Sequence, residues 1–480
     1  MKERIQKATK KDWIKFCIVI ILYLAFLIWV RSWWGIIVVP FIFDAYITRY
    51  IRWTWWKDSE NPIVRTLMSW VDAIVFALVA VYFVNIYFFQ NYTIPSSSLE
   101  KSLLVGDYLL VSKLSYGPRV PQTPLHMPLC QHTLPFGGKS YIEWPQWKYK
   151  RISPKPVKLN DIVVFNYPAG DTVVSKYQTE YYAMCYSIGT QLYQQQTGTV
   201  PQPEDMTPLE QRKYFADVYE WGRQYVRNNS QNFGKVDWRP VDRRENYVKR
   251  CIGLPGQTLE IRNKVVYLDG KENPAPKNVQ FNYHVELKTN YLPKDLIYEL
   301  GLTMKDVQEM YQTGSIPLTS EARQALEQHT EYVASITPIE QHDTESLYPQ
   351  NAYTGWTCDN YGPIWIPKKG ERIELSIDNI AIYERPIQNY EGNDLVVTPE
   401  GDIIINGEKA TSYTFKMDYY WMQGDNRHCS ADSRYWGFVP EDHIVGKPIF
   451  IWLSTDEDRP WFSGHHIRWN RLFKLVDNIK

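Results

Sequence analysis

Three apolar stretches lie within the first 90 residues of the chain, and a more polar sequence follows them. The stretches run over Phe16–Val30, Trp33–Tyr46 and Leu67–Phe89. A membrane-spanning helix needs about 20 apolar residues, so the third stretch is long enough and the second is marginal. The first is adequate with its flanking tryptophans. Because a very short link joins the first two stretches, we expect a tight hairpin or a re-entrant piece there.

Basic residues flank these stretches on one side. Six lysines and arginines lie in the first fifteen residues, and the link before the third stretch adds Arg49, Arg52, Lys57 and Arg65. The positive-inside rule places both segments in the cytoplasm, so three spans leave the chain after Gln90 outside. No small-x-small cleavage site follows the first stretch, which favours an anchor over a signal peptide. We therefore expect a multi-pass protein of the inner (cytoplasmic) membrane whose N-terminus is cytoplasmic and whose remainder is on the outer, periplasmic or extracytoplasmic, side.

After residue 90 the pattern changes to short apolar runs bounded by turn residues, which is typical of β-strands. The predicted strands are Asp107–Lys113, Asp161–Pro168, Tyr247–Ile252, Leu259–Leu268 and Leu395–Ile405. The last two end at Asp269-Gly270 and Asn406-Gly407, which are strong hairpin signals. Two polar inserts have helical spacing instead, Thr207–Asn228 and Pro293–His329, with Ser320 as a candidate helix cap.

Composition excludes some classes of function. Lysine and arginine number 53, as do aspartate and glutamate, so nothing suggests a nucleic-acid partner. Six cysteines are present without a C-x-x-C pair, which argues against a zinc ribbon or a redox motif. Since Cys17 lies in an apolar stretch, five cysteines remain outside, and at least one must be a free thiol or link to another chain. We expect no metal.

Three polar segments follow the apolar region and carry candidate chemistry. They are Ile94-Pro95-Ser96-Ser97-Ser98-Leu99 followed by Gly106-Asp107, the segment Tyr247-Val248-Lys249-Arg250-Cys251-Ile252-Gly253-Leu254-Pro255-Gly256, and the segment Gly424-Asp425-Asn426-Arg427-His428-Cys429-Ser430-Ala431-Asp432-Ser433-Arg434-Tyr435-Trp436-Gly437. Taken singly, they have ordinary explanations as a polar linker, a solvated edge lysine and a turn. In this order, behind a membrane anchor and with the strand Asp161–Pro168, they resemble the signal peptidase I family. The resemblance covers the anchor, the motif-bearing strands and the last motif, but not the inserts.

This resemblance implies a membrane-bound serine endopeptidase that cleaves N-terminal signal peptides from exported preproteins after small-x-small sites. The enzyme expected from this resemblance needs no cofactor, and its partners are secreted preproteins and the lipid bilayer. By position in the motifs, Ser98 matches the nucleophile and Lys249 the general base. Ser96 matches a hydroxyl that joins the backbone N–H of Ser98 in the oxyanion hole.

Further residues match supporting positions of the family. Ser430 matches a serine that holds the lysine amine, and Gly424 matches a glycine that leaves room for the lysine stem. Asp432 and Arg434 match a structural ion pair beside the site. The small-residue pocket would be walled by Ile94, Pro95, Leu99, Tyr247 and Val248.

The chemistry requires a neutral lysine. A serine hydroxyl is a weak nucleophile until a base takes its proton, and the free lysine pKa is about 10.4. Burial lowers a lysine pKa by up to about 3–5 units. Val248, Cys251 and Ile252 supply apolar neighbours along the Lys249 strand.

Departures from the family pattern keep other interpretations open. The family usually has methionine and proline where Leu99 and Lys101 stand, and His428 beside the site permits a Ser–His triad. The segment from Ser98 to Lys101 reads S-x-x-K, as in penicillin-binding and β-lactamase-like acyltransferases, but a K-T-G strand is lacking. A self-cleaving repressor-type protease is disfavoured by the apolar stretches, and an inactive membrane-tethered adaptor is the non-enzymatic alternative.

The predicted fold class is N-terminal transmembrane helices followed by a mostly-β, antiparallel catalytic body with small α-helical inserts. The predicted divisions are an anchor over 1–90, the first part of the catalytic core over 91–171 and a partly helical insert over 172–240. The core strand with the general base follows over 241–270, then a partly helical insert or second subdomain over 271–390. A β-hairpin, the final motif and a C-terminal tail occupy 391–480.

Overall fold

The computed structural model describes residues 5–6, 8–31, 33–177, 180–199, 201–341, 346–456, 459 and 466–479. The described residues form two compact units. The first unit combines residues up to 89 with residues 117–154, and the second combines residues 90–116 with residues from 155 onward.

Helices occur in both units. They are α1 Lys10–Val30, α2 Val39–Phe43, α3 Pro62–Tyr87, α4 Tyr181–Thr197, α5 Pro208–Asn228, α6 Ser230–Phe233, α7 Lys294–Glu299, α8 Met304–Thr313, α9 Ser320–Gln328, α10 Ile380–Arg385 and α11 Ser433–Trp436.

Strands dominate the second unit. They are β1 Phe89–Thr93, β2 Asp107–Ser112, β3 Ile162–Asn166, β4 Thr172–Val174, β5 Val236–Trp238, β6 Asn246–Gly253, β7 Thr258–Arg262, β8 Val265–Leu268, β9 Lys271–Glu272, β10 Gln280–Leu287, β11 Ser315–Thr319, β12 Val333–Pro338, β13 Tyr361–Trp365, β14 Arg372–Glu374, β15 Leu395–Val397, β16 Ile403–Ile405, β17 Glu408–Lys409, β18 Ser412–Thr414, β19 Tyr419–Gln423, β20 Val439–Pro440, β21 Ile444–Ser454 and β22 Lys474–Leu475.

The first unit holds two helices that are long and apolar enough to cross a membrane, α1 and α3. Thr9 caps α1 by accepting a hydrogen bond from the Asp12 backbone N–H. Asn61 caps α3 in the same way, and Pro62 occupies its first turn, where no N–H is needed. The apolar side chains of both helices are largely exposed in the structure, including Ile21 and Phe76.

The second apolar stretch folds back along α1. It forms a segment of short helical turns, Trp34–Thr48, too short to be counted with the two candidate spans. The Tyr23 hydroxyl donates to the Gly35 carbonyl at 2.7 Å, and Arg49 pairs with Asp12 near the start of α1 at 2.8 Å. The segment therefore runs antiparallel to α1, which agrees with the predicted tight hairpin.

Helices α1 and α3 meet at their C-terminal ends and run in the same direction there, since Phe26 contacts Phe83 and, further along, Trp29 contacts Phe88. Near the C-terminal end of α1, the Phe26 ring lies 6.0 Å from the Phe83 ring and 5.4 Å from the Tyr87 ring, both near the end of α3. Because the intervening segment returns to the start of α1, the chain can enter α3 from the same end at which it entered α1.

The second unit is mostly antiparallel β, as predicted. Its main sheet has the strand order β1-β2-β21-β3-β6-β19-β20, and β22 pairs with β21. Strand β3 is buried on both faces: Ile162 and Val164 join one apolar cluster, and Val163 and Phe165 join another. This double burial explains why the strand is a continuous apolar run.

Two predicted strands are each hairpins in the structure. The run Leu259–Leu268 breaks into β7 and β8 at Asn263 and Lys264, which both adopt positive φ angles. A two-residue turn with both φ angles positive fits the twist of the flanking strands. The run Leu395–Ile405 likewise breaks into β15 and β16. The predicted turns at Asp269-Gly270 and Asn406-Gly407 do join β8 to β9 and β16 to β17.

The first insert is a pair of helices. Helix α5 closely matches the predicted range, with Thr207 as its cap, whereas α4 was not predicted. The two helices cross closely at Gly189 and Gly222. A Cβ added at Gly189 would lie 1.8 Å from the Val218 carbonyl oxygen, and one at Gly222 would lie 1.8 Å from that of Cys185. Only glycine permits this backbone approach.

The second insert combines three helices with a sheet. Helices α7, α8 and α9 lie within the predicted range, but β11 interrupts them and pairs with β10, which also pairs with β12. The cap of α9 is Thr319, not Ser320. All six cysteines are free thiols, three of them buried.

Candidate active site

The predicted nucleophile lies on a single turn of 3₁₀-helix between β1 and β2. Ser98 is the middle residue of the turn Ser97–Leu99, and Leu99 fixes the turn by packing in the core with 1% of its surface exposed. Ser96 precedes the turn in an extended conformation, is exposed, and makes no capping hydrogen bond with its side chain. Its hydroxyl is therefore available next to Ser98.

Lys249 reaches Ser98 from the middle of β6. Its Nζ lies 2.6 Å from Ser98 Oγ, within hydrogen-bond distance. Lys249 is only 3% exposed and Ser98 9% exposed. Burial lowers the pKa of Lys249 from its ordinary 10.5 to about 8, although the charges of Asp432 and Asp425 act in the opposite direction. At pH 7 this shift raises the neutral fraction of the amine by roughly a hundredfold or more.

The third motif follows β19 and closes against the nucleophile turn. The Asn426 backbone N–H donates to the Ser98 carbonyl at 3.1 Å, and the Asn426 side chain donates to the Ser97 carbonyl at 3.2 Å. A Cβ added at Gly424 would lie 2.2 Å from Ser430 Oγ and 2.5 Å from the Ser98 carbonyl oxygen. Gly424 thus leaves room for Ser430 and Ser98, whereas the family resemblance suggested room for the lysine stem.

Asp432 and Arg434 form an ion pair in the core beside this loop. Arg434 donates to both carboxylate oxygens of Asp432, at 2.9 and 2.8 Å, and both side chains are almost fully buried. The Asp432 carboxylate also accepts from the Gly424 backbone N–H at 3.2 Å. The pair therefore holds Gly424, at the end of β19, in place beside Ser98.

A second buried ion pair was not predicted. Arg250 donates to both oxygens of Asp425, at 2.8 and 2.7 Å, and Asp425 accepts from the Ser102 hydroxyl at 2.6 Å. The three residues belong to β6, the third motif and the chain just after the nucleophile turn. They tie together the three segments that carry the candidate chemistry. The sequence signal that could have indicated this pair is that Arg250 directly follows Lys249 and Asp425 directly follows Gly424.

Ser430 does not contact the lysine amine in this structure. Its hydroxyl lies 3.4 Å from the Ala431 carbonyl oxygen and makes no hydrogen bond to Lys249. Since Ser430 Oγ is also the nearest atom to the Cβ position of Gly424, the residue lies at the site, but its hydroxyl donates to the Ala431 carbonyl and not to the amine.

His428 is committed to other partners. Its Nδ1 accepts from the Asn282 backbone N–H at 3.2 Å, so its Nε2 carries the proton that it shares with Asp359 at 2.8 Å. The aspartate that orients this ring, Asp359, was not recognisable in the sequence pattern. Because both ring nitrogens are occupied and neither contacts Ser98, this geometry argues against His428 as the base.

Lys101 points away from Ser98. It has a positive φ angle of 70°, and its Nζ donates to the carbonyl of Gly301, between α7 and α8. Burial lowers its pKa below the ordinary value. The S-x-x-K alternative therefore lacks the required contact between lysine and serine.

The residues predicted to wall the substrate pocket divide between two faces of β6. Val248 packs with Ile94 and Leu99 on one face, and Tyr247 packs in an aromatic cluster on the other. Lys249 shares the Tyr247 face, with its Nζ 5.6 Å from that ring. Ile94 and Leu99 are core residues, so Pro95, Tyr247 and Val248 supply the accessible part of the predicted wall.

Comparison with known proteins identifies the family. The model of the family described as signal peptidase, peptidase S26, matches residues 67–317 and 366–453, which is well over half of the chain. Signal peptidase I of Buchnera aphidicola from Acyrthosiphon pisum is 22% identical over 399 residues, 82% of this chain and 77% of the relative. Over shorter stretches, signal peptidase I of Haemophilus influenzae is 29% identical over 130 residues, which cover 23% of this chain and 37% of the relative. That of Aquifex aeolicus is 56% identical over 36 residues, 8% of this chain and 14% of the relative.

These matches make the protein a serine endopeptidase, a hydrolase. The chain belongs to the signal peptidase family, peptidase S26.

Proposed function

We propose that this protein is a membrane-anchored signal peptidase that removes N-terminal signal peptides from exported preproteins with a Ser98–Lys249 dyad. The observation that carries the proposal is the 2.6 Å approach of Lys249 Nζ to Ser98 Oγ in a buried environment. Family membership supplies the reaction class, and the geometry of these two side chains supports their roles.

In the proposed first step, Ser98 attacks the scissile carbonyl while Lys249 takes the hydroxyl proton. The ammonium of Lys249 then returns that proton to the leaving amine, which departs as the mature protein. Water, deprotonated by the neutral lysine, attacks the acyl-enzyme and releases the signal peptide. Lys249 is suited to both transfers because a base is most effective when its pKa lies near the working pH, and its pKa is about 8.

The oxyanion of the tetrahedral intermediate would be bound by the Ser98 backbone N–H and the Ser96 hydroxyl. The first N–H groups of a helical turn have no acceptor within the turn, and Ser98 lies in such a turn. The Ser96 side chain makes no cap bond there. One donor of this kind typically accounts for about 10²–10³ in rate.

Substrate selection after small-x-small sequences is what the family resemblance implies. Pro95, Tyr247 and Val248 border the site with partly or fully exposed side chains. Side chains near the cleaved bond would meet this border directly, so small residues fit best.

We also propose three passages of the chain through the membrane region. Helices α1 and α3 would cross in the same direction, and Trp34–Thr48 would return between them as the shorter arm of a hairpin. The Arg49–Asp12 pair at 2.8 Å supports this path, as do the basic residues at both cytoplasmic ends. The chain after α3 would then be outside.

The decisive experiment is cleavage of a labelled preprotein by purified full-length protein in detergent. We expect the wild type to release the signal peptide at a small-x-small site, and Ser98→Ala and Lys249→Ala to be inactive although folded. Ser97→Ala is the matched control, because Ser97 adjoins the nucleophile and contributes its backbone carbonyl to Asn426. Full activity of Ser98→Ala would contradict the proposal.

A further inference from the structure

Residues 117–154 form a long irregular hairpin within the first unit. Its arms are joined by backbone hydrogen bonds from Val120 to Lys150 at 2.9 Å and from Met127 to Ser140 at 2.7 Å. Near the tip, the Leu134 N–H donates to the Gly138 carbonyl at 3.0 Å. We call residues 117–154 the outer hairpin.

The outer hairpin packs on the C-terminal ends of the two apolar helices. Val120 and Ile152, at the base of the hairpin, share an apolar cluster with Val30 of α1 and Tyr87 of α3. The Lys150 ammonium donates to the Arg31 carbonyl at 2.8 Å, at the end of α1. The base of the hairpin is therefore fixed where both helices end.

From this base, the first arm runs back along α3. The Pro124 carbonyl accepts from the Tyr82 hydroxyl at 2.5 Å, and the His126 ring lies 4.9 Å from the Tyr82 ring. Tyr82 precedes Tyr87 by five residues, which is about 7.5 Å along a helix. The arm thus points from the end of α3 toward its middle, which is the direction of the bilayer in the proposed topology.

The outer hairpin exposes large apolar side chains on a basic background. Phe136, at the tip, is 100% exposed, and Trp144 is 80% exposed. Other exposed apolar residues on the hairpin are Leu125, Met127, Leu129 and Ile142. The hairpin has five lysines and arginines but one acidic residue, Glu143. Tryptophan, phenylalanine and leucine with basic neighbours are the composition of segments that lie in a membrane interface.

We propose that the outer hairpin is a second membrane contact, inserted in the interfacial layer of the outer leaflet beside α3. This inference rests on the proposed membrane anchoring. Helix α3 has 26 residues and is about 39 Å long, whereas the hydrocarbon core is about 30 Å thick. The excess of about 9 Å lets the C-terminal end of α3, where Tyr87 packs against the base of the hairpin, extend into the interfacial layer. The exposed apolar side chains of the hairpin would enter this layer, and the excess of basic over acidic residues on the hairpin favours a surface with anionic headgroups.

The test uses full-length protein with an environment-sensitive fluorescent amino acid, introduced by codon suppression at Phe136, Phe76 or Ala275. Each protein is reconstituted into phosphatidylcholine and phosphatidylglycerol vesicles that contain nitroxide-labelled lipid. We expect the probe at 136 to shift to shorter wavelength and to be quenched most by nitroxide near the headgroup. The probe at 76, in the middle of α3, should be quenched most by nitroxide deep in the bilayer, and the probe at 275 should not be quenched.

The outcomes separate this inference from the proposed anchoring. Quenching at 76 without quenching at 136 overturns the membrane contact and leaves the anchoring intact, whereas absence of quenching at 76 contradicts the anchoring itself. If the probe at 136 is not quenched in vesicles and its emission shifts only when preprotein is added, the hairpin is a substrate surface and the inference is overturned.

A set of variants tests which side chains make the contact. With the probe at Ile142, the triple variant Leu129→Ser, Phe136→Ser and Trp144→Ser should lose quenching by headgroup-level nitroxide. The matched triple Tyr291→Ser, Val396→Ser and Trp469→Ser replaces exposed apolar residues of the second unit and should retain it. An unchanged thermal transition shows that the hairpin variant is folded, and equal quenching in both triples would overturn the inference.

Discussion

At the scale of single residues, the proton of Lys249 is subject to opposing effects. Complete enclosure of the amine disfavours its charge, while Asp432 and Asp425 favour it, and burial has the larger effect. The two carboxylates are themselves engaged by Arg434 and Arg250, which limits their pull on the lysine. The pKa of Lys249 therefore stays lowered despite the nearby acids, as the proposed role of a general base requires.

The first prediction concerns pH. Protonated Lys249 cannot accept the serine proton, so kcat/KM should rise with pH along a limb with its midpoint at about 8. Steady-state cleavage of a peptide substrate between pH 5 and pH 10 measures it, in the range where the protein stays folded. A limb near about 6.5, the free histidine value, that disappears in His428→Ala would favour histidine as the base instead.

The second prediction distinguishes the two lysines near Ser98. Lys249→Arg should be inactive, because a guanidinium keeps its proton and cannot act as a base. Lys101→Met should retain most of the activity, since the Lys101 amine contacts the Gly301 carbonyl rather than the nucleophile. The preprotein assay measures both variants, and the reverse result would mean that the S-x-x-K alternative is correct.

The third prediction concerns the oxyanion hole. Ser96→Ala should fold normally, keep its KM and lose about 10²–10³ in kcat, the usual loss for one donor. Ser96→Thr keeps a hydroxyl and should lose less. Equal and complete loss of kcat in the two variants would exclude Ser96 as an oxyanion donor.

The sequence motifs predicted which residues meet but not how each is oriented. Ser98, Lys249 and the Asp432–Arg434 pair lie together, as their motif positions suggested. The rotation of the Ser430 hydroxyl toward Ala431 depends on three-dimensional packing. So does the Asp359 contact to His428, because 69 residues separate the two in the chain. Long-range side-chain pairs of this kind leave no local pattern in one sequence.

At the scale of elements, one contact network joins the three segments of the site. Arg250 on β6 and Asp425 after β19 form a bidentate pair that also receives the Ser102 hydroxyl. Backbone contacts from Asn426 to Ser97 and Ser98 add a second link. These contacts hold together the three segments within which Lys249 Nζ lies 2.6 Å from Ser98 Oγ.

The fourth prediction tests this network. Asp425→Asn leaves the buried Arg250 without a counter-charge and should lower the free energy of unfolding by about 3–5 kcal/mol, the usual cost of breaking a buried pair. The control is Asp402→Asn, which removes an exposed partner of Lys409 and should cost no more than about 1 kcal/mol. Thermal unfolding of the full-length protein in detergent measures both, and equal shifts in Tm would contradict a supporting role for Asp425.

Strands and helices were predicted correctly where the local sequence carried all the signals of the element. Strand β3 is an uninterrupted apolar run, and α5 has a Thr207–Glu210 capping box with proline in the first turn. Helix α4 was missed because its sequence is rich in tyrosine and glutamine and has no side-chain cap. Its helical structure depends on packing against α5 through Gly189 and Gly222. The break of Leu259–Leu268 into two strands was missed because Asn263-Lys264 is a weaker turn signal than Asp-Gly.

At the scale of the whole molecule, the path of the chain through the first unit supports the proposed three passages through the membrane. Apolar length alone finds two candidate spans, and two spans would return the chain to the side on which it began. The antiparallel segment Trp34–Thr48 changes this count, since it brings Arg49 back to Asp12 and lets α3 run parallel to α1. The basic residues that flank the apolar stretches and the antiparallel packing of Trp34–Thr48 on α1 support the same proposed topology.

The fifth prediction tests that topology in intact cells. A cysteine at Glu60, in the exposed link before α3, should be inaccessible to a membrane-impermeant maleimide, because the proposed topology places the link in the cytoplasm. A cysteine at Ala275, exposed in the second unit, should be labelled without permeabilisation. The exposed native cysteines, Cys17 and Cys429, and the half-buried Cys130 are first replaced by serine to remove background labelling. After permeabilisation both positions should react, which shows that Glu60→Cys is reactive when reached. Labelling at 60 but not at 275 in intact cells would contradict the topology, either because it is inverted or because the short segment does not return the chain. Labelling at neither would mean that α3 does not carry the chain across the membrane.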